Sequence, residues 1–236
     1  MCTVTFIPVN KTDFILTSSR DVPFSREKAL IPKEYLENNS KITYPKDGKA
    51  GGTWIGHSEK NRLICLLNGG FTNHISKSNY IKSRGIIVKE LLMETDIDSA
   101  LSNSNLTNIE PFTLVIVDWN FSLQLIEFVW DGIKKHRTDL PQKMHIWSSA
   151  TLYDEQMKSM RKDWFLEWQN SFCPKHLEKD EWFDLYQKRI LNFHKNAGIG
   201  NPKVDVFMKR EKVGTVSITQ VLKKNTSVKM TYIDRF

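Results

Sequence analysis

Short apolar runs separated by polar punctuation dominate this chain, and at both ends they carry the spacing of strands. Residues 1–9 (MCTVTFIPV) and 13–19 (DFILTSS) are rich in β-branched side chains and flank a polar turn at Asn10, Lys11 and Thr12, which predicts a hairpin. Residues 62–68 (RLICLLN) form a continuous apolar strand that ends in an amide followed by Gly69-Gly70. A buried hairpin is predicted over 112–119 (FTLVIVDW) and 123–130 (LQLIEFVW), turning at 120–122. The chain closes with a further hairpin, 214–223 and 226–234, through Lys224-Asn225.

Helical periods fall between these strands. Residues 83–94 (SRGIIVKELLME) place Ile87 and Leu91 at helical spacing behind Ser83 as N-cap, and a second short helix starts at Asp96. Over 154–168 Met157, Met160, Trp164, Phe165 and Trp168 share one side of an amphipathic helix, and another runs from about 178 to 194. The stretch 23–49, punctuated by Pro23, Pro32 and Pro45, reads as an irregular crossing with at most short helices. No repeat, heptad run or low-complexity segment is visible. Strands at both ends with helices between them predict an α+β layer structure in which strands remote in sequence share sheets.

Composition narrows the class. At 236 residues, with 40% hydrophobic and 26% charged residues, the chain reads as a single domain over 1–236. No apolar run approaches the ~18 residues of a membrane span, and residues 1–20 lack a signal-like pattern. Three cysteines, Cys2, Cys65 and Cys173, show no disulfide spacing, so a cytoplasmic protein is expected. The 34 Lys and Arg against 27 Asp and Glu leave a formal net charge of +7. The basic residues are scattered in short runs without a recognisable binding motif, so the expectation is a solvated surface and no nucleic-acid partner. Basic rims would suit an anionic small molecule.

The candidate chemistry begins at Cys2. A small residue behind the initiator methionine permits Met1 removal, which would place a thiol and a free α-amine on one residue. Free thiols titrate near ~8.5 and α-amines near ~7.7 to 8.0, so the amine could accept the thiol proton. The predicted hairpin returns Arg20 and Asp21 toward Cys2. A carboxylate there would orient an ammonium, and a guanidinium would favour thiolate. The same pair exposed at a strand end would be worth little. Asn68, an amide at a strand end before two glycines, is a candidate oxyanion donor. Gly51-Gly52 before Trp54 signals a close backbone approach.

Taken in order, Met1-Cys2, Ser19-Arg20-Asp21, Gly51-Gly52-Thr53-Trp54-x-Gly56, Leu67-Asn68 and Ser83-Arg84-Gly85 resemble the NRDE family, which includes the transport and Golgi organisation proteins. Its N-terminal half is similar to cysteine N-terminal-nucleophile hydrolases such as the choloylglycine hydrolases. The resemblance implies a four-layer α-β-β-α sandwich, with Cys2 as nucleophile, Asp21 holding the α-amine and Asn68 as oxyanion amide. It is densest over roughly the first 90 residues and resumes at 145–153 (HIWSSATLY). Two departures stand out. The tetrapeptide survives as Ser19-Arg20-Asp21-Val22, and Ser149 stands where the family usually has Asn. Serine offers one hydroxyl donor in place of an amide, and losing an oxyanion donor can cost about 10² to 10³ in rate.

Two functions are therefore expected in alternative. One is hydrolysis of a C–N amide or thioester by Cys2, with Arg20, Asp21, Asn68 and Ser149 completing the site. The other is a non-catalytic carrier or chaperone of haem, lipid or acyl-CoA using the same cleft. No cofactor is required by the residues, since no haem attachment motif occurs and no axial ligand stands out. Cys173 and His176 have the spacing of half a zinc site without a second half, so no metal is expected. The seven tryptophans and the Met/Trp helix are explained by core packing.

Overall fold

The computed structural model describes residues 3–77, 79–171 and 179–235. Cys2, Cys173 and His176 lie outside the described residues. The chain enters through β1 (Thr3–Pro8), β2 (Phe14–Pro23), β3 (Leu30–Glu37), β4 (Ser40–Lys46), β5 (Ile55–Ser58) and β6 (Arg62–Asn68). Helices α1 (Arg84–Met93) and α2 (Ile97–Asn103) precede β7 (Phe112–Asp118), β8 (Gln124–Trp130), β9 (Lys135–Leu140) and β10 (His145–Ser148). Then come α3 (Glu155–Asn170), α4 (Lys179–Asn196), β11 (Val213–Lys224) and β12 (Ser227–Asp234). Two compact units result, one of Met1–Ser25 with Lys143–Phe236, the other of Arg26–Gln142.

The first unit is a five-stranded antiparallel sheet, β10-β1-β2-β11-β12, so strands from both ends of the chain meet in it. Ile7, Ile15 and Leu222 on one face pack against Phe165 of α3 and Phe183, Tyr186, Ile190 and Phe193 of α4. Trp164 and Trp168 lie partly buried against this cluster, so the aromatic stripe of α3 is core. The hairpin between β1 and β2 is locked by Asn10, whose Oδ1 accepts from the Thr12 and Asp13 amides at 2.8 and 2.9 Å. Asp154 caps α3 by accepting from the Met157 amide at 2.8 Å.

The second unit is a seven-stranded meander in chain order, β3 to β9. Its strands β3 and β4 replace the irregular crossing expected over 23–49. Asn38 and Asn39 both adopt positive φ, 48° and 59°, the conformation of a two-residue hairpin turn. Pro32 does not oppose this, because it sits in the edge strand β3 where the register with β4 shifts between Leu30 and Lys33. Edge strands β9 and β10 are too short and polar to announce themselves. Helix α1 buries Ile87, Val88, Leu91 and Leu92, while Ser83 at its N-cap makes no side-chain capping bond.

The two glycine motifs mate with each other. A Cβ on Gly52 would lie 2.6 Å from the carbonyl carbon of Gly85, and one on Gly85 would lie 2.8 Å from the Thr53 carbonyl oxygen. That contact lets the Thr53 amide donate to the Gly85 carbonyl at 3.1 Å, seating the start of α1 on the loop before β5. Gly52→Ala should therefore cost about 1 to 3 kcal/mol through backbone displacement. Urea titration checks this; an unchanged midpoint would show that the approach is not tight.

Candidate active site

Asp21 is built into the end of β2. Antiparallel pairing sets Asp21 against Thr215 and Arg20 against Ser217, so Val216 is an extra residue in β11 at this point. Such a bulge re-aims the side chains around it. Both members of the pair are buried, Arg20 at 3% and Asp21 at 1% exposure, which excludes a solvated strand-end ion pair. Asp21 Oδ2 accepts from the Tyr153 hydroxyl at 2.5 Å, and Oδ1 accepts from the Thr215 hydroxyl at 2.6 Å. Thr215 Oγ1 itself accepts from the Met208 amide at 3.0 Å.

Tyr153 is braced in turn. The Arg161 guanidinium carbon sits 3.7 Å from its ring centroid and that of Arg210 5.7 Å away. Arg161 is fully buried and donates to the Asp205 carbonyl at 2.8 Å. Arg210 donates to the carbonyls of Lys203 and Leu152 at 3.0 and 3.2 Å.

On the helix-packed face of the same sheet, His194 bridges β1 and β2. Its Nε2 lies 2.9 Å from Thr5 Oγ1 and its Nδ1 2.8 Å from Ser19 Oγ. Burial pushes the imidazole down to about 3, so it is neutral, with one ring nitrogen donating and the other accepting. Sequence reasoning missed this residue. The signal was its spacing: four residues after Ile190, it is a polar side chain on the apolar face formed by Phe183, Tyr186 and Ile190.

The remaining candidates fall in both units. Thr3 pairs with Ser19 on one side and Ser148 on the other, so Arg20-Asp21 and Ser149 follow directly at the same end of the sheet. Ser149 is buried, its Oγ 3.1 Å from Thr151 Oγ1. Asn68 belongs to the second unit, ending β6 opposite Phe112 and preceding Gly69 at φ 84°. The Gly69 amide donates to the Pro111 carbonyl at 3.1 Å and its carbonyl accepts from Thr113 Oγ1 at 3.0 Å. Downstream, Arg84 pairs with Glu110 at 3.0 Å, which also takes a bond from Ser76 at 3.0 Å. Among the described residues no cluster of three or more His, Cys, Asp or Glu could hold a metal ion. Nor is any helix among them long and apolar enough to cross a membrane.

The family profile described as Transport and Golgi organisation 2 matches residues 1–236. The chain belongs to this family. No curated protein matches it in sequence. Among solved structures it is similar to the Caenorhabditis elegans ortholog of N-acylethanolamine-hydrolyzing acid amidase, with a TM-score of 0.59 and 11% identity over 93% of this chain and 92% of that one. It is also similar to penicillin V acylase from Agrobacterium tumefaciens, with a TM-score of 0.56 and 13% identity over 100% of this chain and 86% of the other. At such identities the likeness is one of fold. That fold is the α+β sandwich of the N-terminal-nucleophile hydrolases, as expected from the sequence.

Within the family's sequence pattern, the Gly-rich and Ser-Arg-Gly motifs thus find a packing role, while Arg20 and Asp21 sit buried at a bulge. Tyr153 and Thr215 were not singled out from sequence as site residues. Tyr153 ends the HIWSSATLY stretch, and only the sheet register brings Thr215 to Asp21, 194 positions away in sequence.

Proposed function

We propose that this protein is an N-terminal-nucleophile hydrolase of amides or thioesters, acting through Cys2 once Met1 is removed. The observation that carries this is the buried carboxylate of Asp21, fixed by two hydroxyl donors at the strand end next to the one on which β1 begins. Cys2 directly precedes Thr3 in the chain, and Thr3 pairs with Ser19 and Ser148. The fold shared with an amidase ortholog and a penicillin V acylase supports the same reading. Because the family match and these likenesses span both units, the two are read together as one domain over 1–236.

In the reaction, the Cys2 sulfur attacks the carbonyl carbon while its own α-amine takes the thiol proton. Asp21 orients that amine, Arg20 favours thiolate, and the Asn68 amide donates to the oxyanion. Collapse breaks the bond to nitrogen or sulfur, and the leaving group takes the proton back from the ammonium. Water, deprotonated by the amine, then hydrolyses the acyl-thioester and frees Cys2. The substrate is a small acyl compound, and a reducing cytoplasmic setting suits a chain whose three cysteines show no disulfide spacing.

Ser149 favours a second reading, a carrier of lipid, acyl-CoA or haem, because its short hydroxyl is engaged with Thr151 where the family usually has an amide. One experiment separates the two. Natively processed protein is checked by intact mass for Met1 removal, then assayed on an amide and thioester panel as wild type, Cys2→Ala and Ser149→Asn. A hydrolase should show turnover abolished by Cys2→Ala and raised about tenfold or more by Ser149→Asn, with a covalent acyl adduct on Cys2. Retained Met1 would end the nucleophile mechanism, and absence of hydrolysis in both wild type and Ser149→Asn alongside acyl-CoA binding that survives Cys2→Ala would favour the carrier instead.

A further inference from the structure

We infer that Tyr153 and Thr215 are positioning residues whose hydroxyls aim the Asp21 carboxylate at the α-amine of Cys2, an assignment that rests on the nucleophile reading above. An ionised carboxylate only accepts hydrogen bonds, so the protons of both hydroxyls point at Asp21. Their lengths, 2.5 and 2.6 Å, are those of charge-assisted O–H···O⁻ bonds. Each donor takes a different oxygen, which fixes the carboxylate plane.

The supports behind the two hydroxyls make the aim rigid. Thr215 Oγ1 is held by the Met208 amide at 3.0 Å, so its single proton is free to serve Asp21. Tyr153 is buried, and turning its ring would displace the Arg161 guanidinium stacked 3.7 Å from its centroid. Among the described residues, Nε and Nη1 of that fully buried guanidinium find no hydrogen-bond partner, so the ring face is a large part of what accommodates its charge. A cation over the ring also draws density from the phenol and strengthens its donation. An arrangement serving packing alone would need the ring but not the hydroxyl.

That distinction sets the test. The rate of Cys2 alkylation by iodoacetamide, mapped to the N-terminal peptide of processed protein, requires no knowledge of the substrate. Wild type should react faster at pH 7 than a peptide with a free N-terminal cysteine. Tyr153→Phe keeps the ring and the Arg161 stack, and should slow alkylation of Cys2 by about tenfold with its melting temperature lowered by only a few degrees. Thr215→Val should slow it similarly, whereas Thr215→Ser, which restores a donor, should return it to near the wild-type rate. If Tyr153→Phe does not fold, the two Thr215 variants decide the matter by themselves. A fast wild type with Tyr153→Phe or Thr215→Val reacting equally fast overturns the positioning role alone. A wild type no faster than the peptide overturns the nucleophile reading and this role with it.

Discussion

Arg62→Ala should lower the unfolding free energy by about 3 to 5 kcal/mol, the cost of breaking a buried ion pair by removing one partner. Arg62 opens β6 at 1% exposure, and its Nε donates to Asp118 Oδ2 at 2.8 Å across the register pair with β7. Its Nη1 continues to the carbonyls of Leu91 and Glu94 at 3.0 and 2.6 Å, and Nη2 to that of Thr95 at 3.4 Å. Helix α1 has no basic residue in its last turn, so this guanidinium, reaching in from the sheet, satisfies carbonyls at the helix end. Alanine would strand those acceptors and a buried carboxylate together. Urea unfolding should show a large fall in midpoint with little change in slope. The double variant Arg62→Met with Asp118→Leu should lose much less than the sum of the single changes, because it removes the uncompensated charge. A loss under about 1 kcal/mol in Arg62→Ala would mean that water reaches Asp118 and the helix end.

How far such features could be read from the sequence depends on the range over which their cause acts. The strands β6, β7, β8, β11 and β12 were legible because dense apolar runs and Asn-containing turns are local signals. Helix α3 was legible through the helical spacing of Met157, Met160, Trp164, Phe165 and Trp168, while its Asp154 cap emerged only in the structure. The β3–β4 hairpin was not, since the prolines of 23–49 weighed more than the paired asparagines that form its turn. Arg62 drew no separate reading within the apolar run 62–68, and only the packing of α1 explains what its charge does. The site divides in the same way. Arg20 and Asp21 could be named from a tetrapeptide, but their burial depends on a β11 bulge nearly 200 positions away in sequence. Tyr153 and Thr215 meet Asp21 only through the fold, and no local pattern marks such partners, whereas His194 was marked by a polar side chain on the apolar face of α4.

His194 carries the other large effect. Its folded-state value, pushed down to about 3 by burial, lies below the ~6.5 of an exposed imidazole, so below pH 6.5 the unfolded chain binds more protons than the folded one. Stability contributed by the neutral ring is therefore fully present above about pH 6.5 and is lost as pH falls toward 3. Between pH 7.5 and 5 the loss from this one residue should be about 2 kcal/mol. His57, lowered to about 4 by burial, adds a slope of the same sign, so the wild type alone cannot assign the effect. His194→Gln supplies the comparison. Glutamine keeps a donor and an acceptor for Thr5 and Ser19 but does not titrate, so it should be less stable at pH 7.5 and show a flatter profile toward pH 5. Because those two hydroxyls stand on β1 and β2, the strands that lead to Cys2 and to Arg20-Asp21, acid should loosen the sheet where the proposed site is anchored. Urea midpoints of both proteins from pH 7.5 to 5 check this, and parallel curves would show that His194 is not the group titrating.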